Sequence, residues 1–596
     1  MKYKKVRKML ALTLAGSMVF SNGALVTMAK QNDEYTEANL KNDGGVGGTV
    51  FGENGTVKNE DGSAVKFNTQ TDYVDDTFKQ SADVQLEDTT YEDSYDKGDM
   101  ESMTGDKLEE TLDALIASMT YDEKIHMVSM NKDPESRDGV GYMTGIPRLG
   151  VPETRMHDGP SGVSTSTSDA DTYVETTNFP LQLVASQTWS EDAVQKYGEA
   201  LGREQVSIGS GWQLGMQMDL SRTTHWARSK DTFGEDYLLT AMLATAQTKG
   251  IQSTGGIPMA KHIGAYSTDG DTSLWVRVGE QTLHTAYLYP FEKAAKDANL
   301  ASIMGTYNRM NGYYVSSNYH LQVEILRDMW NWEGSMVPDW GADKEELSMI
   351  LGTDISQSGA GSIDKAFRSA VAQGYLTMDD LDTAARHALY SLGVAGYLNQ
   401  VELDGKGYVK QDTSRAVKDE FGQWSSDYDN IADSRIKFER TYDQDKADGL
   451  YEEDNEVAKE IAEKGIVLLK NENDALPLTE DDYTGDNSVA YIGYGATNLI
   501  GGTGGERSFG VLQYMTTPLE STKEIAGEDA NINGYILDDI HGVSIPNVYT
   551  DEEMTEKGWK MTDKIVEGDL SSGGGGGFPG GPGGPGGPGG PGGPGG

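Results

Sequence analysis

Between Gly145 and Gly396 the chain repeats one plan: a brief apolar run that mostly closes on polar or charged residues, then a longer stretch with helical spacing. The runs are FPLQLVAS, WQLGMQMDL, GIPMAKHI, LASIMGTY and GSMVPDW, alike in layout and not in letters. Short apolar strands alternating with helices favour parallel β/α units, and a region of this size suits a single β/α barrel. The expected fold class is therefore α/β, with a β/α (TIM-like) barrel over 106–400. In such a barrel the C-terminal ends of the strands converge on one mouth. Asp158, His262, Tyr307 and Asp339 stand at or just after apolar runs, so this fold would gather them there.

A chain of 596 residues exceeds what one hydrophobic core usually serves, so more than one domain is expected. Residues 1–29 set five basic side chains before a short apolar run and then small residues, the layout of a secretory signal peptide, with an uncleaved membrane anchor as the alternative. This implies a secreted or cell-surface protein. Residues 30–105 read as an acidic, low-order lead-in. Order rises at LEETLDALIASMTYDEKIHMVS, where apolar residues recur at helical spacing and Thr120 with Glu123 makes a capping-box pattern for a second helix. Residues 401–454 read as an acidic linker. Residues 455–570 open a second α/β domain with a helix, a strand and a glycine-rich loop, but lack enough later strands to finish a sandwich. Residues 571–596 are a Gly/Pro-rich tail that cannot pack. We expect the reading frame to be truncated within that second domain.

With 95 acidic against 49 basic side chains the net charge is −46, which repels nucleic acid and anionic membranes. The absence of cysteine excludes disulfides and thiolate metal sites. No second histidine sits at ligand spacing from His262, so no metal and no cofactor is expected.

Five stretches in order, RMHDGPSGV (155–163), ARSKDTFGEDYLL (227–239), AKHIGAYS (260–267), YPFEKAAKDANLASIMGTYNRMNG (289–312) and GSMVPDWGA, resemble glycoside hydrolase family 3. EKGIVLLKNENDALPL (463–478) and VAYIGYGATNLIGGTGG are similar to the start of that family's second domain, so the resemblance covers roughly 106–525. It implies a retaining glycosidase that removes β-linked glucose, or xylose, from the non-reducing end of an oligosaccharide or an aryl or alkyl glycoside. Retention takes a carboxylate nucleophile about 5 to 5.5 Å from a second carboxyl that serves as acid and then base. The resemblance assigns the nucleophile to Asp339, sugar hydroxyls to Asp158, Arg228, Lys261 and His262, a place beside the nucleophile to Tyr307, and a ring wall to Trp340. Pro338 stands where the family usually has serine, and proline lacks a backbone donor. Tyr266 occupies the place of the histidine acid/base of the N-acetylglucosaminidase branch, which disfavours that branch.

Each residue also has an ordinary reading: Asp339 as a helix cap, Asp158 as a turn former before Pro160, Arg228 as the partner of a helix carboxylate, His262 as a satisfied core histidine. The acid/base glutamate of β-glucosidase-like members, in an EGxDR-like pattern, is not identified. Glu567 in VEGDL and Glu506 beside GGTGG are the nearest strings. Hence a rival reading, a carbohydrate-binding or inactive homologue that lacks its acid/base. A nucleotide-binding reading of the glycine-rich loop fails because position 498 is asparagine where the dinucleotide fingerprint needs glycine.

Overall fold

The computed structural model describes Phe78 and residues 102–131, 140–163, 176–207, 210–267, 275–342, 348–372, 374–428, 444–492, 517–527 and 529–535. The expected signal peptide, the glycine-rich loop, the Gly/Pro tail, Glu506 and Glu567 lie outside the described residues. The chain divides into two compact units, one holding residues up to Leu468 with 502–513, the other 469–501 with 514–596.

The first unit opens with α1 (Gly105–Ser118) and α2 (Tyr121–Met127). Thr120 and Glu123 close the capping box that their spacing predicts: the Thr120 hydroxyl accepts from the Glu123 N–H and Glu123 accepts from the Thr120 N–H. There follow β1 (Gly141–Met143), β2 (Thr154–Asp158), α3 (Gln182–Gln187), α4 (Glu191–Ser207), β3 (Trp212–Leu214), α5 (Tyr237–Ser253), β4 (Ile257–Ile263), β5 (Trp275–Val276), α6 (Tyr289–Asp297), β6 (Ser302–Gly305), β7 (Arg309–Met310), β8 (Tyr313–Tyr314), β9 (Ser335–Pro338), α7 (Ala360–Ala372) and α8 (Met378–Val394).

One sheet runs in the order β1-β2-β3-β4-β6-β9, parallel throughout except that β1 pairs antiparallel with β2. The parallel neighbours lie side by side because each returns through helical chain, α3 and α4 from β2 to β3, α5 from β3 to β4, α6 from β4 to β6 and a π-helical segment (His320–Met329) from β6 to β9. Backbone bonds continue past both edges. Asp354 and Ile355 donate to Met336, Ser356 donates to Val128, Met130 donates to Ser356, and Asn131 pairs with Tyr142 of β1.

The apolar runs are continuous because both faces of the strands are buried. Met259, Met304 and Val337 join Met143 and Met156 in one cluster, whereas their chain neighbours Ala260, Ile303 and Met336 join residues of α4, α5 and α6 in another. The run FPLQLVAS, expected as a strand, is instead a helix from Gln182 to Gln187. Its buried residues Gln182, Ala185 and Ser186 fall at the i, i+3, i+4 spacing of one helical face, and the Gln182 side chain accepts from the Gln217 N–H. Within 401–428, β10 (Ala416–Lys418) and β11 (Trp424–Ser426) form an antiparallel hairpin, and Ser426 donates its N–H and hydroxyl to Glu123. The helix α9 (Gln444–Gly465) follows, anchored by Asp454, which accepts from Arg203 at 2.5 Å.

In the second unit β12 (Val489–Ile492) and β13 (Ile532–Tyr535) pair in parallel, with α10 (Pro518–Ala526) between them in the chain. Thr517 and Glu520 cap α10 with a capping box. No described helix is long and apolar enough to cross a membrane.

Candidate active site

Asp339 follows the last residue of β9, and that strand is held from three sides. The Asp339 N–H donates to the Gly305 carbonyl at 2.9 Å, which carries the β6–β9 ladder past Pro338, so the missing donor of the proline leaves no gap there. The Met336 N–H donates to Asp354, whose carboxyl also takes Arg327 at 2.5 Å and His387 at 2.7 Å. Ser391 of α8 accepts from the Ser335 N–H. Gln357 donates to the Pro338 carbonyl and accepts from the Gly341 N–H, which fixes the loop after the strand. A side chain aimed by packed strands holds its geometry better than one on a free loop.

Around Asp339 the structure brings together most of the residues predicted from sequence. One carboxylate oxygen accepts the Trp340 N–H at 2.6 Å, and the Tyr307 hydroxyl hydrogen-bonds to the carboxylate. His262 Nε2 stands 3.3 Å from the other oxygen. Lys261 and His262 lie on β4, joined by a cis peptide bond, and Lys261 Nζ lies 3.3 Å from Asp158 Oδ1 at the end of β2. Arg228 donates to Gln217 at 2.8 Å and sits 5.7 Å from the Tyr266 ring. Trp340 is half-buried against the core beside the nucleophile candidate.

Sequence reasoning did not single out Asp219, Gln217 or Trp226, and read Tyr266 only as a departure from one branch. Asp219 accepts the His262 N–H at 3.0 Å and faces His262 Nδ1 at 2.8 Å. Trp226 meets Tyr266 edge-on at 5.8 Å, and Tyr266 lies 5.1 Å from the His262 ring and 6.3 Å from that of Tyr307, an aromatic run along one side of the polar cluster. MQMDL does end an apolar run on an aspartate as SMVPD does, but that placement alone does not say what Asp219 touches.

The electrostatics follow from burial. It pushes Asp339 above the ordinary aspartate range, against the pull of Lys261, the Trp340 N–H, the Tyr307 hydroxyl and Arg228. It lifts Asp219 to about 8, against Arg228, the His262 N–H and Lys261, with the nearby Asp339 adding to the rise. Burial first, then Arg228 and Lys261, drives the His262 imidazole well below its usual range. Tyr307 is held protonated by burial and by the Asp339 charge beside it. The cluster is a buried carboxylate ringed by donors, suited to attack on an electrophilic carbon and to holding hydroxyl groups. Among the described residues no group of three His, Cys, Asp or Glu side chains is placed to hold a metal ion.

Residues 169–389 match the glycosyl hydrolase family 3 N terminal domain. Beta-glucosidase B of Emericella nidulans is 27% identical over 424 residues, 70% of this chain and 44% of that protein. Thermostable beta-glucosidase B of Acetivibrio thermocellus is 28% identical over 64% of this chain and 44% of its own length. The crystal structure of DesR, a beta-glucosidase from Streptomyces venezuelae in complex with D-glucose, superposes with a TM-score of 0.58 at 27% identity, covering 71% of this chain and 49% of that one. Beta-glucosidase 3B from Thermotoga neapolitana in complex with glucose gives 0.57 at 26%, covering 72% and 55%. The chain thus spans about half the length of the relatives it matches. Over residues 169–389 the chain resembles the N terminal domain of glycosyl hydrolase family 3, and the proteins it is similar to are beta-glucosidases.

Proposed function

We propose that the chain is a retaining glycosidase acting on O-glycosyl bonds, which removes β-linked glucose, or xylose, from the non-reducing end of glycosides through a covalent glycosyl-aspartate on Asp339. The observation that carries the proposal is the Asp339 carboxylate at a strand end, oriented by the Trp340 N–H and the Tyr307 hydroxyl, with His262 at 3.3 Å. In the first step a carboxylate oxygen bonds to the anomeric carbon as the glycosidic C–O bond breaks, and the leaving oxygen takes a proton. In the second, water bonds through its oxygen to that carbon as the bond to Asp339 breaks, and its proton goes to the group that protonated the leaving oxygen. Asp158, Arg228 and Lys261 take sugar hydroxyls and Trp340 walls the ring, on this reading, whereas His262, expected to take a hydroxyl too, has both ring nitrogens turned to carboxyls. The proton donor for the leaving group is not assigned: Asp158 is paired with Lys261 and Asp219 is turned to His262.

We also read the first unit as a β/α barrel. The reading is supported by the backbone bonds through 354–356 and 128–131, which join β9 to β1 and would close the ring.

Asp339→Asn keeps the shape and removes the charge and the nucleophile. It is expected to lower kcat for an activated aryl β-glucoside by at least about a thousandfold while leaving glucose binding in place. Unchanged turnover would sink the nucleophile assignment. Glucose binding by a wild-type chain that turns over no glycoside would favour the binding-protein reading.

A further inference from the structure

The glycosidase reading leaves Asp219 unused, although its side chain is 1% exposed and lies in the middle of the site. Its Oδ2 meets two nitrogens of one residue, the His262 backbone N at 3.0 Å and the ring Nδ1 at 2.8 Å. The opposite ring nitrogen, Nε2, faces Asp339 Oδ2 at 3.3 Å. His262 is therefore clamped between two carboxyls, with Arg228 and Lys261 as the nearby cations, the Tyr266 ring at 5.1 Å and Tyr307 on Asp339.

A backbone N–H only donates, so Asp219 Oδ2 must accept there, and few proton arrangements remain. With Asp219 ionised and the imidazole neutral, the ring proton sits on Nδ1. The bare Nε2 then turns a lone pair on Asp339, which either repels the ionised nucleophile or holds it protonated and inert. With Asp219 neutral, its O–H donates to Nδ1, the same oxygen still accepts the backbone N–H, and the ring proton sits on Nε2. Moving that shared proton along the 2.8 Å contact makes an ionised Asp219 and an imidazolium, and Nε2 keeps its proton. Burial favours the neutral form of both groups; Arg228 and Lys261 add to this at His262 by opposing an imidazolium, while at Asp219 they pull the other way and burial outweighs them. Asp219 Oδ1 has no partner among the described residues, which further disfavours a charge on this carboxyl.

We infer that Asp219 is a positioning residue: by sharing a proton with His262 Nδ1 it keeps an N–H on Nε2, aimed at the oxygen of the nucleophile Asp339. This rests on the proposed role of Asp339. An asparagine cannot replace it, because its amide oxygen must take the backbone N–H and would then draw the ring proton to Nδ1.

The test uses the full chain labelled with ring-15N histidine, with the His262 signal identified by its loss in His262→Gln. The wild type at pH 7 is expected to show Nε2 protonated, and Asp219→Asn to move the proton to Nδ1. For an activated aryl β-glucoside, Asp219→Asn should lower kcat/KM on the order of tenfold, as for one lost hydrogen bond to a charged group, and shift the acid limb of the pH profile upward. A bare Nε2 in the wild type, or an Asp219→Asn protein with the wild-type tautomer and acid limb, would overturn the inference. If that variant does not fold, the wild-type spectrum alone decides. If the wild type turns over no glycoside, the glycosidase reading falls, and the tautomer still decides whether Asp219 holds His262 as stated.

Discussion

Lys261 governs how acidic a medium Asp339 can work in. Burial raises the Asp339 pKa, and the Lys261 ammonium is the largest influence pulling it back. On the proposed role of Asp339 as nucleophile it must be ionised, so kcat/KM is expected to fall as pH drops through that pKa. Lys261→Met removes the pull, and the acid limb should move to higher pH in a profile measured with an activated aryl glucoside; a limb that stays put or moves down contradicts the assignment. The gathering of these residues was legible, their roles being part of the proposal. Asp158, His262, Tyr307 and Asp339 close or follow apolar runs, and the motif resemblance gave them roles. Asp219 was missed because an aspartate after MQM stands in no quoted motif. Its importance appears only when backbone bonds from Met216 to Met218 lay that segment beside Lys261 and bring Asp219 to His262.

At the level of elements, one buried ion pair ties four segments together. Arg148 meets Glu123 in a two-pronged contact at 2.7 Å, donates to the Ser118 carbonyl and bonds to Gln411, while Glu123 also takes donors from Thr120 and Ser426. Both side chains are fully buried. Removing one partner strands a charge without water, so Arg148→Met is expected to destabilise the first unit by about 3–5 kcal/mol, whereas replacing both partners with apolar residues should cost less. Urea unfolding followed by tryptophan fluorescence reads the difference, and a single variant as stable as the wild type would contradict it. The capping box at Thr120 was legible as local chemistry, a hydroxyl and a carboxyl three residues apart. The Arg148 partnership was not, since 25 residues separate it from Glu123. FPLQLVAS was misread for a related reason: a short apolar run fits strand or helix, and only its buried neighbours decide.

Over the whole molecule, a net charge of −46 leaves a neutral substrate as the natural partner of a site whose own cations, Lys261 and Arg228, are engaged with its carboxyl and amide groups. The continuous burial of β4, β6 and β9 made the parallel α/β plan readable, because strands covered on both faces need no alternation. The antiparallel β1 was not foreseen, as three residues, GYM, carry too little pattern. In the second unit, VAYI was readable as a strand, and its partner INGY was not, lying about 40 residues on with little apolar content. The central claim is that Asp339 attacks the sugar. It is tested most directly by incubating the full chain with a 2-deoxy-2-fluoro-β-glucoside bearing an activated leaving group and mapping the product by peptide mass spectrometry. The account predicts one glycosyl adduct per chain, on Asp339 and absent from Asp339→Asn; turnover of aryl glucosides with the adduct on another residue, or with none, would contradict it.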